Sequence, residues 1–157
     1  MLRSRYAHNR DARVAINLLL VEDNPGDVRL TEEAFRRVND RVRLHVAADG
    51  VEAMAFLRRE GLYARAPRPV LILLDLNLPK LDGREVLSLV KADAQLKTIP
   101  VLVLTMSDAP SDVRNCYQGR ANCYLKKPLS LEEFQDLIVS LDRFWLTNVK
   151  FMRHPRG

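Results

Sequence analysis

Apolar residues along the chain form two patterns, short continuous runs and longer stretches at helical spacing. Three runs are almost uniformly apolar, at 18–21, 70–74 and 101–104. Runs of this length are typical of strands that are buried on both faces of a parallel sheet. An alternating segment at 42–46 suits a strand nearer the edge of the sheet, and 122–125 predicts a fifth strand.

Five amphipathic stretches alternate with these runs and predict helices. The first spans 27–39, the second surrounds 51–62, the third follows Gly83, and the fourth runs from 111 to about 118. The fifth has the clearest spacing, and Ser130 is its expected N-cap. Its apolar positions are Leu131, Phe134, Leu137, Ile138, Leu141 and Trp145. Strands alternating with helices predict an α/β fold, a doubly wound five-stranded parallel sheet with helices on both faces.

The length of 157 residues fits one domain, at 17–146, with a basic extension at 1–16 and a tail at 147–157. The net charge of +5 comes from the two ends, and the part between them is close to neutral. The charged residues of the ends are Arg3, Arg5, Arg10, Asp11, Arg13, Lys150, Arg153 and Arg156. We therefore expect solubilising tails and no nucleic-acid partner, because nucleic-acid binders usually carry a basic face on the domain itself.

The apolar content also bears on location. No apolar run approaches the roughly 20 residues that a membrane helix needs. The apolar stretch near the N-terminus stops at Glu22, unlike the centre of a secretory signal. The two cysteines, Cys116 and Cys123, then suggest reduced thiols. We expect a cytoplasmic protein without a membrane partner.

Polar side chains suited to metal or phosphate chemistry follow four of the five runs. Glu22 and Asp23 follow the first, Asp75 the 70–74 run, Thr105 the 101–104 run and Lys127 the last. In open α/β sheets, ligands bind beyond the carboxyl ends of the strands. We therefore expect these side chains to meet at one edge of the sheet.

The charges at this edge predict a metal ion. Two carboxylates about 4 Å apart repel by roughly 4 kcal/mol at an effective dielectric constant of 20. A divalent cation would relieve that repulsion, and oxygen ligands favour Mg²⁺, with Mn²⁺ or Ca²⁺ as substitutes. An aspartate at such a site can also accept a phosphoryl group as an acyl phosphate.

Four segments that contain these residues resemble the receiver domain of bacterial two-component response regulators. They are LLLVEDNPGD, LILLDLNLPKLDG, VLVLTMSDA and CYLKKP. The resemblance covers about 18–145 in the order of the family. It implies a flavodoxin-like sheet with strand order 2-1-3-4-5, and a phosphoryl group received from a histidine kinase.

The resemblance assigns a role to each matching residue. Asp75 would be the phospho-acceptor, and Thr105 and Lys127 would contact the phosphoryl group. The Lys127–Pro128 peptide bond would be cis. Tyr124 would be an aromatic switch that moves inward when Thr105 shifts. As an alternative, Tyr124 is a half-buried strand residue without that role.

The resemblance also implies a ligand set for Mg²⁺. Asp23 and Asp75 would bind the ion directly, Glu22 mainly through water, and Asn77 through its backbone carbonyl. Met106 departs from the family, which usually has a small residue there. A bulkier side chain could narrow access to Asp75.

A narrower resemblance links VEDNPGD, the NCY…KP segment and the ending RFWLTNVKF to single-domain regulators paired with phytochrome-type histidine kinases. In those regulators the region after the fifth helix helps to form a homodimer, and we expect the same here. The alternative is that these residues only extend the core. The expected interface residues are Phe144, Trp145, Leu146, Val149 and Phe151.

These observations favour a phospho-acceptor signalling protein, which is not an enzyme in the usual sense and carries no output domain. Its output would be a changed protein-binding surface. Three alternatives stay open at this point. A receiver-like scaffold that is never phosphorylated is supported by Met106. An aspartyl-phosphate phosphohydrolase would usually have an aspartate where this chain has Asn77, and a substrate cap. Nucleic-acid binding would use the basic ends.

Overall fold

The computed structural model describes residues 14–152 and contains a five-stranded parallel sheet in the order β2-β1-β3-β4-β5. This confirms the predicted fold class and strand order. The strands are β1 (Ile16–Val21), β2 (Val42–Ala47), β3 (Leu71–Leu74), β4 (Val101–Thr105) and β5 (Cys123–Lys126). The helices are α1 (Pro25–Val38), α2 (Gly50–Arg58), α3 (Gly83–Ala92), α4 (Pro110–Gln118) and α5 (Leu131–Leu141).

The uniformly apolar runs form the inner strands, as their composition predicts. Every residue of β3 and β4 is buried, whereas β2 and β5 at the two edges are mostly half-buried. Strand side chains point alternately to opposite faces of a sheet. In β1, Leu19 and Val21 accordingly join one core cluster, and Leu18 and Leu20 join the other.

Helices cover both faces of the sheet. On one face, Phe56 of α2, Val86 of α3 and Cys116 of α4 pack against the strands. On the other face, Phe35 of α1 and Ile138 of α5 complete the core. Fully burying a side chain such as leucine or phenylalanine is worth about 1.5–3 kcal/mol, so these two layers hold the helices on the sheet.

Side-chain caps fix where several helices begin. The side chain of Ser130 accepts a hydrogen bond from the backbone N–H of Glu133, as expected for the N-cap of α5. Asn24 caps α1 in the same way, and Pro25 follows it in the first turn. Because only three residues separate β1 from α1, the first turn of α1 lies over the carboxyl edge of the sheet.

Two helices differ from the prediction. The second helix ends at Arg58, where Arg59 turns into the left-handed region at φ 57°, and Leu62 beyond it is fully exposed. The regular part of the fifth helix ends at Leu141 and continues as a π-helical turn, Asp142–Asn148. Apolar spacing did not distinguish a continuous helix from a helix followed by a different turn.

Two partly buried hydrogen bonds accompany the π-helical turn. The carboxylate of Asp142 accepts from the side-chain amide of Asn39 at 2.8 Å, and the Thr147 hydroxyl donates to the Asp142 carbonyl at 3.1 Å. Asn39 follows α1 directly. The bond between Asn39 and Asp142 therefore joins the ends of two helices on the same face of the sheet.

Gly83 matters because the chain passes very close to it. A Cβ there would lie 2.1 Å from the carbonyl oxygen of Asp75 and 2.6 Å from the Cα of Leu76. Any side chain here would clash with that backbone, so close packing is the physical reason for the glycine. The start of α3 therefore rests directly on the backbone that carries Asp75.

Candidate functional site

The five side chains that follow the strands meet at the carboxyl edge of the sheet, as predicted. Backbone hydrogen bonds extend the sheet one residue past three strands. Glu22 N–H donates to Ala47 O at 3.0 Å, Asp75 N–H to Val21 O at 3.0 Å and Lys127 N–H to Thr105 O at 2.7 Å. These bonds fix the backbones of Glu22, Asp75 and Lys127, so their side chains leave the edge in defined directions.

Three carboxylates form a compact cluster at this edge. One oxygen each from Glu22, Asp23 and Asp75 lies within 4.8 Å of the others. Glu22 and Asp75 are buried, and Asp23 is exposed to solvent. Two buried carboxylates and a third that is open to solvent fit a divalent cation that keeps some of its waters, as Mg²⁺ does.

The ammonium group of Lys127 is the cation at the centre of the site. Its Nζ lies 2.5 Å from Glu22 Oε2, 2.9 Å from Asp27 Oδ2 and 3.0 Å from Asp75 Oδ2. Burial opposes the charge of this lysine, but the hydrogen bonds to the three carboxylates outweigh burial and raise its pKa. Lys127 is therefore held in its charged form.

The described residues contain no cis peptide bond, so the bond from Lys127 to Pro128 is trans. The expectation of a cis bond is wrong for this structure. The backbone hydrogen bond of Lys127 to Thr105 and its three ion pairs hold the lysine at the site with a trans bond.

Both oxygens of Asp75 have donors. Thr105 Oγ1 donates to Oδ1 at 2.9 Å, Asn77 N–H donates to the same oxygen at 3.2 Å, and Lys127 donates to Oδ2 at 3.0 Å. Burial opposes ionisation, but Lys127 outweighs it and lowers the pKa of Asp75. The carboxylate is therefore ionised and oriented, which is the state that a nucleophile requires.

Glu22 differs from Asp75 in its response to burial. Desolvation is the largest influence on Glu22, and it raises the pKa of this carboxyl to about 7 despite the hydrogen bond from Lys127. Ionisation is therefore strongly favoured for Asp75 and only weakly favoured for Glu22.

A second group of polar residues connects Tyr124 to the loop after β4. The Tyr124 hydroxyl donates to the carbonyl of Ser107 at 2.7 Å, and the Ser107 hydroxyl donates to Asp112 at 2.6 Å. Arg84 donates to Asp112 at 2.8 Å and to Asp82 at 3.1 Å. This chain of contacts runs from β5 to the start of α3, beside Asp75.

The sequence family described as "Response regulator receiver domain" matches residues 18–139. This chain belongs to the receiver family. The match covers β1 from Leu18 onward, the other four strands completely and most of α5.

Related proteins and structures are similar over most of their length. "Response regulator Rcp1" from Synechocystis sp. is 46% identical over 132 residues, which cover 84% of this chain and 90% of that protein. The crystal structure of the phosphorylated cyanobacterial phytochrome response regulator RcpA has a TM-score of 0.85 and 44% identity, covering 88% of this chain and 99% of that one.

A metal-bound structure is also similar to this receiver. The crystal structure of the Mn²⁺-bound form of Rcp1 has a TM-score of 0.83 and 44% identity, covering 87% of this chain and 99% of that chain.

Within residues 14–152 of this receiver, no helix has the length and apolar character to cross a membrane.

The remaining predicted site residues lie near the cluster. The side chain of Asn77 is exposed, and its N–H bonds Asp75 as described; a metal contact by its carbonyl stays a prediction. Met106 follows Thr105 and is 47% exposed. Tyr124 is half-buried against the core and bonds the loop after β4, an arrangement compatible with either interpretation made from the sequence.

The five residues expected at the dimer interface, within 144–151, differ in their burial. Trp145, Leu146 and Phe151 pack against the core cluster that contains α1 and α5. Phe144 is 59% exposed, with its ring edge-on to Trp145 at 6.0 Å. Most of the expected interface residues thus cover the receiver's own core, and Phe144 is the one that faces solvent most. Val149 is half-buried.

Two other expectations concern the cysteines and the ends. Cys116 and Cys123 are free thiols, as expected, and burial raises the pKa of each. Residues 1–13 and 153–157 lie outside the described part of the chain, so most of the basic extension at 1–16 and the end of the tail lie there too.

Sequence reasoning missed Asp27 and the pairing of Arg84 with Asp112. Asp27 lies in the first turn of α1, and an acid there stands over the same edge as the residues that end β1. That placement was available from the sequence, because the helix was predicted to start at residue 27. The partner of Arg84 lies 28 residues away on another helix, and no sequence pattern pointed to it.

Proposed function

We propose that Asp75 is the residue of this receiver that accepts a phosphoryl group from a histidine kinase. The observation that supports this role is its double engagement, with the Thr105 hydroxyl on one oxygen and the Lys127 ammonium on the other. Donors already placed around a reacting carboxylate need little rearrangement as charge develops on the transferred group.

In the transfer, a carboxylate oxygen of Asp75 forms a bond to phosphorus, and the N–P bond of the kinase phosphohistidine breaks. The electron pair of that bond stays on the imidazole nitrogen, which takes up a proton. Thr105 and Lys127 then donate hydrogen bonds to the phosphoryl oxygens. Hydrolysis by water would reverse the modification, and the chain would assist both steps without acting on a separate substrate.

Glu22, Asp23 and Asp75 would hold Mg²⁺, with Mn²⁺ or Ca²⁺ as substitutes, and Asn77 would add its backbone carbonyl. The compact carboxylate cluster supports this set. When bound, the ion would neutralise charge on the phosphoryl oxygens. The Mn²⁺-bound form of the similar Rcp1 supports a divalent cation in this family.

The output would be a change in a protein-binding surface. The hydrogen bond from Tyr124 to Ser107 supports a coupling between β5 and the loop after β4, next to Thr105. A shift of Thr105 toward a phosphoryl group would change that loop, and the surface formed by α4, β5 and α5 would follow. The size of such a shift depends on how much more strongly the phosphoryl group interacts with one conformation of the receiver than with the other.

The kinase partner would be of the phytochrome type, acting in the cytoplasm. The similarity to the phytochrome response regulator RcpA supports this pairing. The receiver would occupy 17–146, between a basic extension at 1–16 and a tail at 147–157. Neither nucleic acid nor a membrane would be needed for this function.

The test is phosphorylation of the purified protein with acetyl phosphate and Mg²⁺, followed by intact-mass measurement. The wild type should gain one phosphoryl group, and Asp75→Asn should gain none while folding normally, because the amide keeps the size of the side chain. A phosphoryl group on Asp75→Asn would exclude Asp75 as the acceptor. A wild type that gains none would favour a scaffold, with Met106 blocking access.

We also propose that the receiver forms a homodimer in which Phe144 contributes to the interface. The 59% exposure of this aromatic ring supports the proposal. Phe144→Ser should lower the molar mass measured by sedimentation to that of one chain. Leu62→Ser is the matched control, since Leu62 is fully exposed elsewhere. An unchanged mass in Phe144→Ser would remove this residue from the interface.

A further inference from the structure

Asp27 is a third acidic partner of Lys127 that lies outside the carboxylate cluster. Its Oδ2 is 2.9 Å from the lysine Nζ, whereas the compact cluster consists of Glu22, Asp23 and Asp75. The backbone of Asp27 is held firmly. Its N–H donates to the side chain of Asn24 at 3.1 Å, and its carbonyl accepts from a buried threonine at 2.7 Å.

Lys127 has no donor left for a further ligand. An ammonium group carries three N–H donors, and the three carboxylates of Glu22, Asp27 and Asp75 accept from them. For Lys127 to donate to a phosphoryl oxygen on Asp75, one of these hydrogen bonds must weaken or break.

Asp27 is the partner that can release the lysine most easily. Its side chain is 30% exposed, compared with 3% for Glu22 and 9% for Asp75. Water can therefore solvate the carboxylate of Asp27 once Lys127 leaves it. A buried carboxylate that lost the same bond would remain poorly solvated.

We infer that Asp27 is a positioning residue that holds Lys127 in the unphosphorylated arrangement and competes with the phosphoryl group for it. The inference rests on the roles proposed above for Asp75 and Lys127. Asp27 thus sets how strongly the resting state is favoured, without itself touching the reacting atoms.

The direction of the effect follows from charge. With Asp27 present, the phosphoryl group must draw the ammonium away from a carboxylate, and both anions then lie near the same cation. A neutral side chain at residue 27 removes the competition for the ammonium. It also removes the repulsion between the Asp27 carboxylate and the phosphoryl group. The phosphorylated state should therefore be easier to form and slower to lose.

Asp27→Asn is the variant that tests this. The amide keeps the size of the side chain, and the hydrogen bonds to Asn24 and Thr31 use backbone atoms of residue 27, so they persist. Glu33→Gln is the matched control, because Glu33 lies on the same helix, is exposed and undergoes the same change of charge.

The first measurement is the affinity for beryllofluoride, a phosphoryl analogue, in the presence of Mg²⁺. Asp27→Asn should bind it about three- to tenfold more tightly, the size expected for one partly exposed charged hydrogen bond. The half-life of the phosphorylated protein after removal of acetyl phosphate should lengthen by a similar factor. Glu33→Gln should change neither. Unchanged or weaker binding by Asp27→Asn would overturn the inference.

The second measurement needs neither metal nor phosphoryl group. It follows the exchange of the Lys127 Nζ protons with water by nitrogen-15 NMR in the metal-free protein. Exchange should be faster in Asp27→Asn and unchanged in Glu33→Gln. Equal rates in wild type and Asp27→Asn would show that Asp27 does not hold the lysine, even if beryllofluoride binding had changed.

The two measurements separate failure of the inference from failure of the proposed function. If the wild type bound no beryllofluoride, the roles proposed for Asp75 and Lys127 would fail, and the competition would fail with them. The proton exchange would still report whether Asp27 restrains the lysine. If the wild type bound the analogue and Asp27→Asn bound it equally, the inference alone would be wrong.

Discussion

Lys127 and Arg84 each hold several carboxylates, in very different surroundings. The side chain of Lys127 is 5% exposed and its partners Glu22 and Asp75 are 3% and 9% exposed. The side chain of Arg84 is 38% exposed, and its partners are 36% exposed at Asp82 and 19% at Asp112. The first cluster surrounds the carboxylate of Asp75, and the second joins α3 to α4.

The difference shows that burial, more than the number of ion pairs, decides what a charged cluster does. Water screens the contacts of Arg84, so each is worth little, and water can replace a lost partner. Around Lys127, little water is available, so loss of the lysine would leave carboxylates without compensation. Removing a charge from such a cluster therefore costs much stability. Adding a cation or an anion should change how the remaining charges pair, which suits a phosphorylation site.

The largest effect is expected for Lys127→Met. Among residues 14–152, Lys127 is the cation paired with the buried carboxylates, and its removal should lower the free energy of unfolding by about 3 kcal/mol in the metal-free protein. The measurement is urea denaturation. Lys126→Met is the control, because Lys126 precedes Lys127 but is 52% exposed and pairs with a still more exposed Asp108. Lys126→Met should lower the free energy of unfolding by about 0.5 kcal/mol or less. Equal losses would refute the argument from burial.

A smaller effect is expected for Arg84→Met. Arg84 contacts two carboxylates in a partly exposed network, so its removal should cost about 1 kcal/mol in urea denaturation. Added salt should shrink this loss, since exposed charges are screened. Glu85→Gln, an exposed position on the same helix, should have almost no effect. A loss that salt leaves unchanged would mean that the Arg84 cluster behaves as a buried one.

The smallest effect is expected for the pH dependence of the stability that the Arg84 cluster contributes. The hydrogen bond from Ser107 and the neighbouring Arg84 lower the pKa of Asp112. A carboxyl whose folded pKa is lowered stabilises the protein fully above its unfolded value of about 3.9 and loses that contribution as pH falls through the folded value. The stability difference between wild type and Arg84→Met should therefore shrink between pH 7 and pH 3. A constant difference would show that Asp112 is not the partner that matters.

Most of the fold was predictable because the sequence repeats one simple pattern. Fully apolar runs alternating with amphipathic stretches have few solutions other than a parallel sheet covered on both faces. The strand ends were predictable for the same reason, and with them the meeting of Glu22, Asp75, Thr105 and Lys127. The strand order came from the resemblance to receivers, and the sheet confirms it.

Helix ends were harder to predict, because they depend on single residues and on neighbours distant in sequence. The second helix stops where Arg59 adopts a positive φ. An arginine in the sequence does not indicate such a conformation. The π-helical turn after Leu141 begins at Asp142, which makes a partly buried hydrogen bond with Asn39, 103 residues away. Apolar periodicity carries no information about either event.

The sequence by itself determined the chemistry of the site, since residue types at strand ends fix which charges reach the edge of the sheet. Only the tertiary structure decided how those charges are shared. Lys126 and Lys127 are adjacent and chemically identical, yet one is half-exposed and the other meets three carboxylates. The aromatic residues near the C-terminal end gave the same lesson, since Trp145 and Phe151 cover the core whereas Phe144 is exposed. Burial and pairing depend on packing between distant segments, and no local pattern encodes them.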